Sequence, residues 1–598
     1  MPDTPHARHQ PVDATARQEA PPAEHFHGPA GAPMHTWFTS PARTRANAAH
    51  AKELPLHLIQ LILNHLDDVA DLARITRTSR LFYYMTLPRL YEEVTLRAYS
   101  DIRYINGRPE GYGSGSPFAM GMNTLVSRTF ADYVHVFRLI GDWREHDMED
   151  YKQGRVPDNS MMLQIAIRAA LDKMKNLRAF AWELNSKPLN TVYQALLTKP
   201  SLTSLTLRCQ TQRTPRPTTL IPPLPHLTTL VVYDIDPLCY PDDISLLLLG
   251  SKRLENIKLH WNPRMRDSGE ESVNLMGLFG RCLAAKVQMP LRRFALYNLY
   301  TRFFGDGFDN VSDPHVIEEV TLVNSMSTSD PMTVFLDNTW RIQSSTPIPQ
   351  NLKMMRTENT DKEGAIMLQK FKGLERMYLI SNRKSRTGIN PNSAAATPTT
   401  PSMATPGTPT LPESHCRSIG GDYLAAIQSN HRTMRHLLLS DTWQLSDDAL
   451  FRLCQACPNL EQFGFACTVP PLESLRQVIA LVPKVWAMRL LVRPGSELAD
   501  KLESMGSDMH EFAMSTELWR PEYKGLKYVG LGEKFIWRLG KVVFPPKEKV
   551  MSVPNGPPNS LNAKLTGPIR KLERLNKEDV KDIEIWGMDS VEFEAKFP

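Results

Sequence analysis

The sequence predicts a mixed α/β protein: a small helical unit near the start, followed by a long array in which helices alternate with parallel strands. Three observations predict it. Apolar residues recur at three- and four-residue spacing between Leu54 and Met85, the period of short amphipathic helices. A second pattern, apolar-x-x-apolar-x-apolar, then returns along the chain at a preferred interval. Segments with helical periodicity fill the spaces before several of these strand starts, as at 161–174, 446–459 and 471–482.

The helical unit reads element by element. Leu54-Pro55 opens a first helix, since Pro is tolerated at a first helical position where its missing N–H costs nothing. Leu58, Ile59, Ile62, Leu63 and Leu66 share one face of it. Asp67 and Asp68 are capping residues for a second helix carrying Val69, Leu72, Ala73 and Ile75. Thr78 or Ser79 starts a third, with Leu81, Phe82 and Met85, which Pro88 is expected to end. A first strand follows at Val94 and Leu96. So many apolar groups in so short a stretch are hard to bury unless another surface covers them.

The array begins at Val134-Phe137-Leu139 and continues through Leu177-Phe180-Trp182, Leu202-Leu205-Leu207, Leu227-Leu230-Val232 and Leu254-Ile257-Leu259. Leu291-Phe294-Leu296, Ile317-Val320-Leu322 and Leu374-Met377-Leu379 come next. Met434-Leu437-Leu439, Leu460-Phe463-Phe465, Val485-Met488-Leu490 and Leu526-Val529-Leu531 complete it. Successive starts lie 43, 25, 25, 27, 37, 26, 57, 60, 26, 25 and 41 residues apart. Chance produces such triplets but does not set their interval, and the 57-residue gap has room for a degenerate turn at Leu352-Met355. Each helix-strand unit has an apolar edge it cannot bury alone, so stacking successive units is what stabilises them.

Composition narrows the class. The chain has 598 residues, 41% hydrophobic and 22% charged, with a net charge of +6, a weak bias that is no nucleic-acid signature. No apolar run approaches the ~20 residues needed to cross a bilayer, and the first residues lack the hydrophobic centre of a secretory signal. Seven cysteines, odd and sparse, argue against a disulfide framework. The expectation is a cytoplasmic or nuclear protein with reduced thiols, free of nucleic acid and membrane partners. Residues 1–50, rich in Pro, Ala, His and Arg, are expected to be a disordered tail. The helical unit spans 51–97, a connector 98–132 and the array 133–540, broken by a Ser/Thr/Pro-rich insertion at 382–414. Residues 541–598 read as a linker and capping segment, with alternation over 582–597.

Few motifs carry chemistry. Cys454-x-x-Cys457 has no second ligand pair and sits at the end of a repeat helix, so packing explains it better than zinc. Gly111-Tyr112-Gly113-Ser114-Gly115 lacks the strand-in, helix-out context of a phosphate-binding loop and reads as a connector. No nucleophile elbow, HExxH helix or Walker loop occurs. Catalytic residues, cofactors and metals are therefore not expected. Thr397, Thr400, Thr405 and Thr408, each followed by Pro in the insertion, suit proline-directed phosphorylation as well as they suit low-complexity composition.

In a stacked array, residues alternating with the buried positions face the inner surface. These are Arg138, Arg208, Tyr233, Lys258, His260, Arg293, Tyr297, Tyr378, His436 and Arg489, with Glu183 the one acid. Arg208, Tyr233, Lys258, His260, Arg293, Tyr297, Tyr378 and Arg489 are the candidate substrate-binding set, suited to an acidic or phosphorylated peptide.

The Leu54–Leu96 stretch resembles an F-box of the fungal type, on its Leu-Pro start, Ile59, Ile62, Leu63, Leu66 with its acidic turn, Leu72, Ser79-Arg80, Leu90-Tyr91 and Val94. Arg77-Thr78-Ser79-Arg80 departs from the common Val-Cys-Lys before the third helix. The array is similar to an irregular leucine-rich-repeat solenoid, with parallel strands on its concave face and helices on its convex face. The resemblance implies a substrate receptor of an SCF-type cullin–RING ubiquitin ligase. It implies that Leu54, Pro55, Ile59, Ile62, Leu63, Leu66 and Leu72 form or support the docking surface for a Skp-family adaptor, and through it for cullin and RING subunits. A protein target would sit on the repeats, and catalysis would lie elsewhere in the complex. The alternative is a non-degradative scaffold or interaction protein: an F-box protein working with the adaptor alone, or a repeat protein whose helical unit is only a cap.

Overall fold

The computed structural model describes residues 54–597 apart from 112–114, 144–148, 154, 214–215, 217, 240, 265–274, 302–309, 324–325, 328–349, 359, 361, 381–412, 468–470, 494–495 and 545–566. The tail, Thr397, Thr400, Thr405, Thr408 and nearly all of the insertion lie outside the described residues. The chain divides into two units, Met1–Asp67 and Asp68–Pro598.

The described part of the first unit is helix α1, Leu56–Asn64, with Pro55 at its N-cap and the Pro55 carbonyl accepting from the Leu58 and Ile59 amides. In the second unit, α2 (Val69–Ile75) starts where the Asp68 carboxylate accepts the Ala70 amide at 2.8 Å. Helix α3 (Arg80–Leu90) starts where the Ser79 hydroxyl accepts the Phe82 amide at 3.1 Å. Each cap satisfies an amide that has no partner inside its helix. Pro88 does not end α3, which runs through it to Leu90. So near the C-terminal end its missing N–H removes a single bond, and the Thr86 hydroxyl donates back to the Phe82 carbonyl at 2.7 Å.

A mixed α/β architecture with one large, mostly parallel sheet fills the rest of the second unit. Its strands are β1 (Glu93–Ala98), β2 (Val136–Gly141), β3 (Ala179–Leu184), β4 (Ser204–Arg208), β5 (Thr229–Ile235) and β6 (Asn256–Trp261). Then come β7 (Arg293–Tyr297), β8 (Glu319–Val323), β9 (Met354–Thr357), β10 (Arg376–Leu379) and β11 (His436–Leu438). Strands β12 (Gln462–Cys467), β13 (Ala487–Leu490) and β14 (Tyr528–Leu531) complete the parallel run, and a two-residue strand, Gln444–Leu445, pairs in parallel with the end of β12. Each strand pairs with the next in chain order, from β1 on β2 to β13 on β14, all parallel. Two antiparallel strands, β15 (Phe535–Val543) and β16 (Ile569–Arg574), finish the sheet.

Register explains the repeated triplet. Its second residue forms one continuous row across the sheet: Phe137, Phe180, Leu205, Leu230, Ile257, Phe294, Val320, Met355, Met377, Leu437, Phe463, Met488 and Val529. Every member of this row is buried in the main core. That core also takes Leu163, Ile167 and Leu171 from the helix Asp158–Lys173, and Leu450, Leu453 and Cys454 from the helix Asp447–Ala456. Helices thus seal one sheet face. Met355, in the gap where a degenerate turn is expected, belongs to the row, so β9 is a full member of the sheet.

The other face is sealed differently. Residues 580–597 run across it as a strap containing a short helix, Glu584–Gly587. Segment 582–597, expected to cap the array, instead covers its face, and the antiparallel pair β15–β16 closes the end. The physical reason is that this face offers the segment both apolar packing partners and cations that bind its carbonyls.

Candidate binding surfaces

The adaptor-type residues divide by exposure. Leu54 is 48% exposed and Ile62 57%, alongside exposed Leu56, Leu58 and Leu61 on α1. Pro55 is exposed and Ile59 and Leu66 are half-buried, whereas Leu63 and Leu72 are interior residues. In the second unit, Val69, Leu81 and Tyr84 of α2 and α3 are exposed as well. Leu63 and Leu72 therefore hold structure, while Leu54, Pro55 and Ile62 are exposed among the described residues.

On the second sheet face, the residue between the two buried members of each triplet also forms a register row. It reads Arg138, Ala181, Thr206, Val231, Lys258, Ala295, Thr321, Arg356, Tyr378, Leu438, Gly464, Arg489 and Gly530. Three members are buried cations, Lys258, Arg356 and Arg489, and a buried charge persists only when paired or hydrogen-bonded. All three bind the main chain of the strap. Lys258 Nζ donates to the Glu594 carbonyl at 3.0 Å and the Lys596 carbonyl at 2.6 Å. Arg356 Nε donates to the Met588 carbonyl at 2.9 Å and its terminal nitrogen to the Ser590 carbonyl at 2.5 Å. Arg489 donates to the Ile585 carbonyl at 2.8 Å and pairs with Asp589 at 2.9 Å and Glu533 at 2.6 Å. Burial and the nearby Arg356 charge push the Lys258 ammonium down to about 7, against the opposing pull of Glu594.

The remaining predicted residues meet the strap or an acid. Tyr233, His260 and Tyr297 surround the Phe593 ring, with centroids 5.2, 4.6 and 5.3 Å away. Burial, only partly offset by Asp234, pushes the His260 imidazole down to about 4. The Tyr378 hydroxyl donates to the Glu584 carboxylate, which His436 Nδ1 also meets at 2.5 Å. Burial pushes that carboxyl up, but bonds from His436 and Tyr378 and the Arg376 charge outweigh it and hold it at about 2. Arg208 pairs with Asp234 at 2.8 Å and Arg293 with Glu319 at 3.3 Å. Glu183 accepts from Arg138 at 2.7 Å and from the Tyr233 hydroxyl at 2.8 Å.

The face is consequently not the open basic surface that strand alternation suggests. Six of the eight candidate residues, Tyr233, Lys258, His260, Tyr297, Tyr378 and Arg489, are covered by the strap. The sequence reading also missed Arg356, because Leu352-x-x-Met355-x-Thr357 ends in Thr where an apolar residue was sought. Near the strap's end a cavity remains, lined by Arg138, Glu183, Thr206, Val231 and Phe597.

Other candidates settle as structure. Cys454 and Cys457 are buried in the core, and burial pushes both thiols up to about 12, which makes them inert packing groups. A helix, Pro117–Ser127, does follow the glycine-rich stretch, contrary to the sequence reading; Tyr112–Ser114 lie outside the described residues. Among the described residues no group of His, Cys, Asp or Glu could hold a metal, and no helix is long and apolar enough to cross a membrane. The chain matches no family model, and no curated protein matches it.

Proposed function

We propose that this protein is a non-catalytic substrate receptor, docking a Skp-family adaptor through α1 and presenting a target protein on the second sheet face. The observation that carries the reading is the exposure of Leu54 and Ile62, two residues of the F-box-like pattern, together with the exposed Leu56, Leu58 and Leu61 of the same short stretch. Exposed apolar groups in such a cluster mark an interaction surface. In this reading the parallel sheet with helices on one face is a leucine-rich-repeat solenoid, and cullin and RING subunits join through the adaptor. The receptor supplies proximity and orientation, and ubiquitin transfer occurs on the partner subunits.

Leu54 and Pro55 are exposed, so replacing both by alanine spares the core. Affinity purification of the L54A/P55A chain is expected to lose the adaptor while its thermal transition stays that of the parent. Undiminished adaptor capture would refute the docking assignment. Adaptor recovered from the parent chain without cullin would replace the ligase reading by that of a scaffold.

A further inference from the structure

The strap has two parts with different physics. Residues 580–589 are built like core: Ile585, Trp586 and Met588 are buried, and Arg489 and Asp589 form an ion pair that is 3% and 4% exposed. Residues 591–597 are not. Val591, Phe593, Ala595 and Phe597 are half-buried and alternate with exposed Glu592, Glu594 and Lys596. That is the pattern of an extended peptide laid on a surface. Its hold is largely sequence-independent, because Lys258 and Arg356 grip carbonyls that any extended chain would offer. Specificity comes from the Tyr233, His260 and Tyr297 pocket around Phe593. The cavity at Phe597 continues the track over Thr206 and Val231 toward Arg138.

We propose that residues 590–597 occupy a peptide-binding groove of this sheet face in place of an external ligand. That ligand is an extended protein segment with apolar or aromatic residues at alternate positions and acidic residues between them. The inference rests on the receptor reading for its biological meaning and adds the recognition chemistry and its gate. Binding in trans requires the strap's light end to leave while its anchor at Ile585–Asp589 stays. Main-chain capture with side-chain pockets for alternate residues is an established way of recognising extended peptides.

The test uses the full chain. A fluorescent peptide with the sequence of residues 589–598 is titrated against the parent and against an F593A/F597A chain, whose own strap has lost its aromatic anchors. The altered chain is expected to bind at least tenfold more tightly than the parent. Adding K258A to it should weaken binding at least tenfold, as should Phe593→Ala in the peptide. Hydrogen exchange should show faster exchange at 590–597 in the altered chain, with β5–β7 unchanged. Equal peptide binding by parent and altered chain would overturn the proposal. So would an altered chain whose strands β5–β7 also lose protection, because the strap would then be part of the fold. Adaptor capture is a separate readout on the same chains. Its absence from the parent would sink the receptor reading and leave the peptide result standing.

Discussion

Arg489 shows how a single residue sets what this face can do. It is 3% exposed, yet it carries a full charge against Asp589, Glu533 and the Ile585 carbonyl. Removing one partner of a buried ion pair typically costs ~3–5 kcal/mol, because the remaining charge keeps its desolvation penalty. R489L is therefore expected to lower unfolding free energy by about that amount in urea denaturation. R489K should recover only part of it, since an ammonium cannot reach three acceptors with a planar fork. A cost below ~1 kcal/mol would mean the pair is not buried in solution. Strand alternation placed Arg489, Lys258, Tyr297 and Tyr378 on the second face correctly. What it could not show was their partners. Glu584, Asp589 and Phe593 lie far downstream, in a segment whose own alternation reads equally well as a capping strand.

At the scale of elements, the legible parts were those with a strict period. The helix Asp158–Lys173 and the parallel strands follow from apolar spacing, because register forces Phe180, Leu205 and Leu230 into one row. Strand β9 was only half legible, since Thr357 stands where an apolar residue usually sits. The short helix Glu584–Gly587 had no local signal at all, and its position is set by side chains of β10 and β11. Its first residue makes a pH prediction. Glu584 titrates near 2 in the folded chain, against ~4.3 for a free glutamate. An acid with a depressed folded value contributes stability above its unfolded value and loses it as pH falls toward the folded one. Between about pH 4.5 and 2 the parent should therefore lose up to ~3 kcal/mol that E584Q lacks at every pH. Urea midpoints of the two chains measured across that range should converge at the acid end. Parallel curves would show that the carboxylate gains nothing from Tyr378, His436 and Arg376.

For the second unit as a whole, the question is how far a local defect spreads. Strands that pair only with their chain neighbours make a quasi-one-dimensional array, in which stability is a sum of unit and interface terms. Phe463 is fully buried between Leu437 and Met488 in the main core row. Replacing it by alanine should cost ~3–5 kcal/mol. In a purely nearest-neighbour array the extra opening would stay in β11, β12 and β13. The strap alters that expectation, because the Gln462 side chain accepts the Ile585 amide at 3.1 Å and the same strap reaches Lys258 on β6. In F463A, hydrogen exchange should therefore accelerate in 436–438, 462–467 and 487–490, and also in 584–597. Strands β2 and β3, which the strap's polar grips do not reach, should keep the parent rate. A uniform rise from β2 to β14 would mean that the sheet opens as one block, and the additive picture of the array would have to be abandoned. A rise confined to the three strands would show that the strap carries no coupling between distant parts of the sheet.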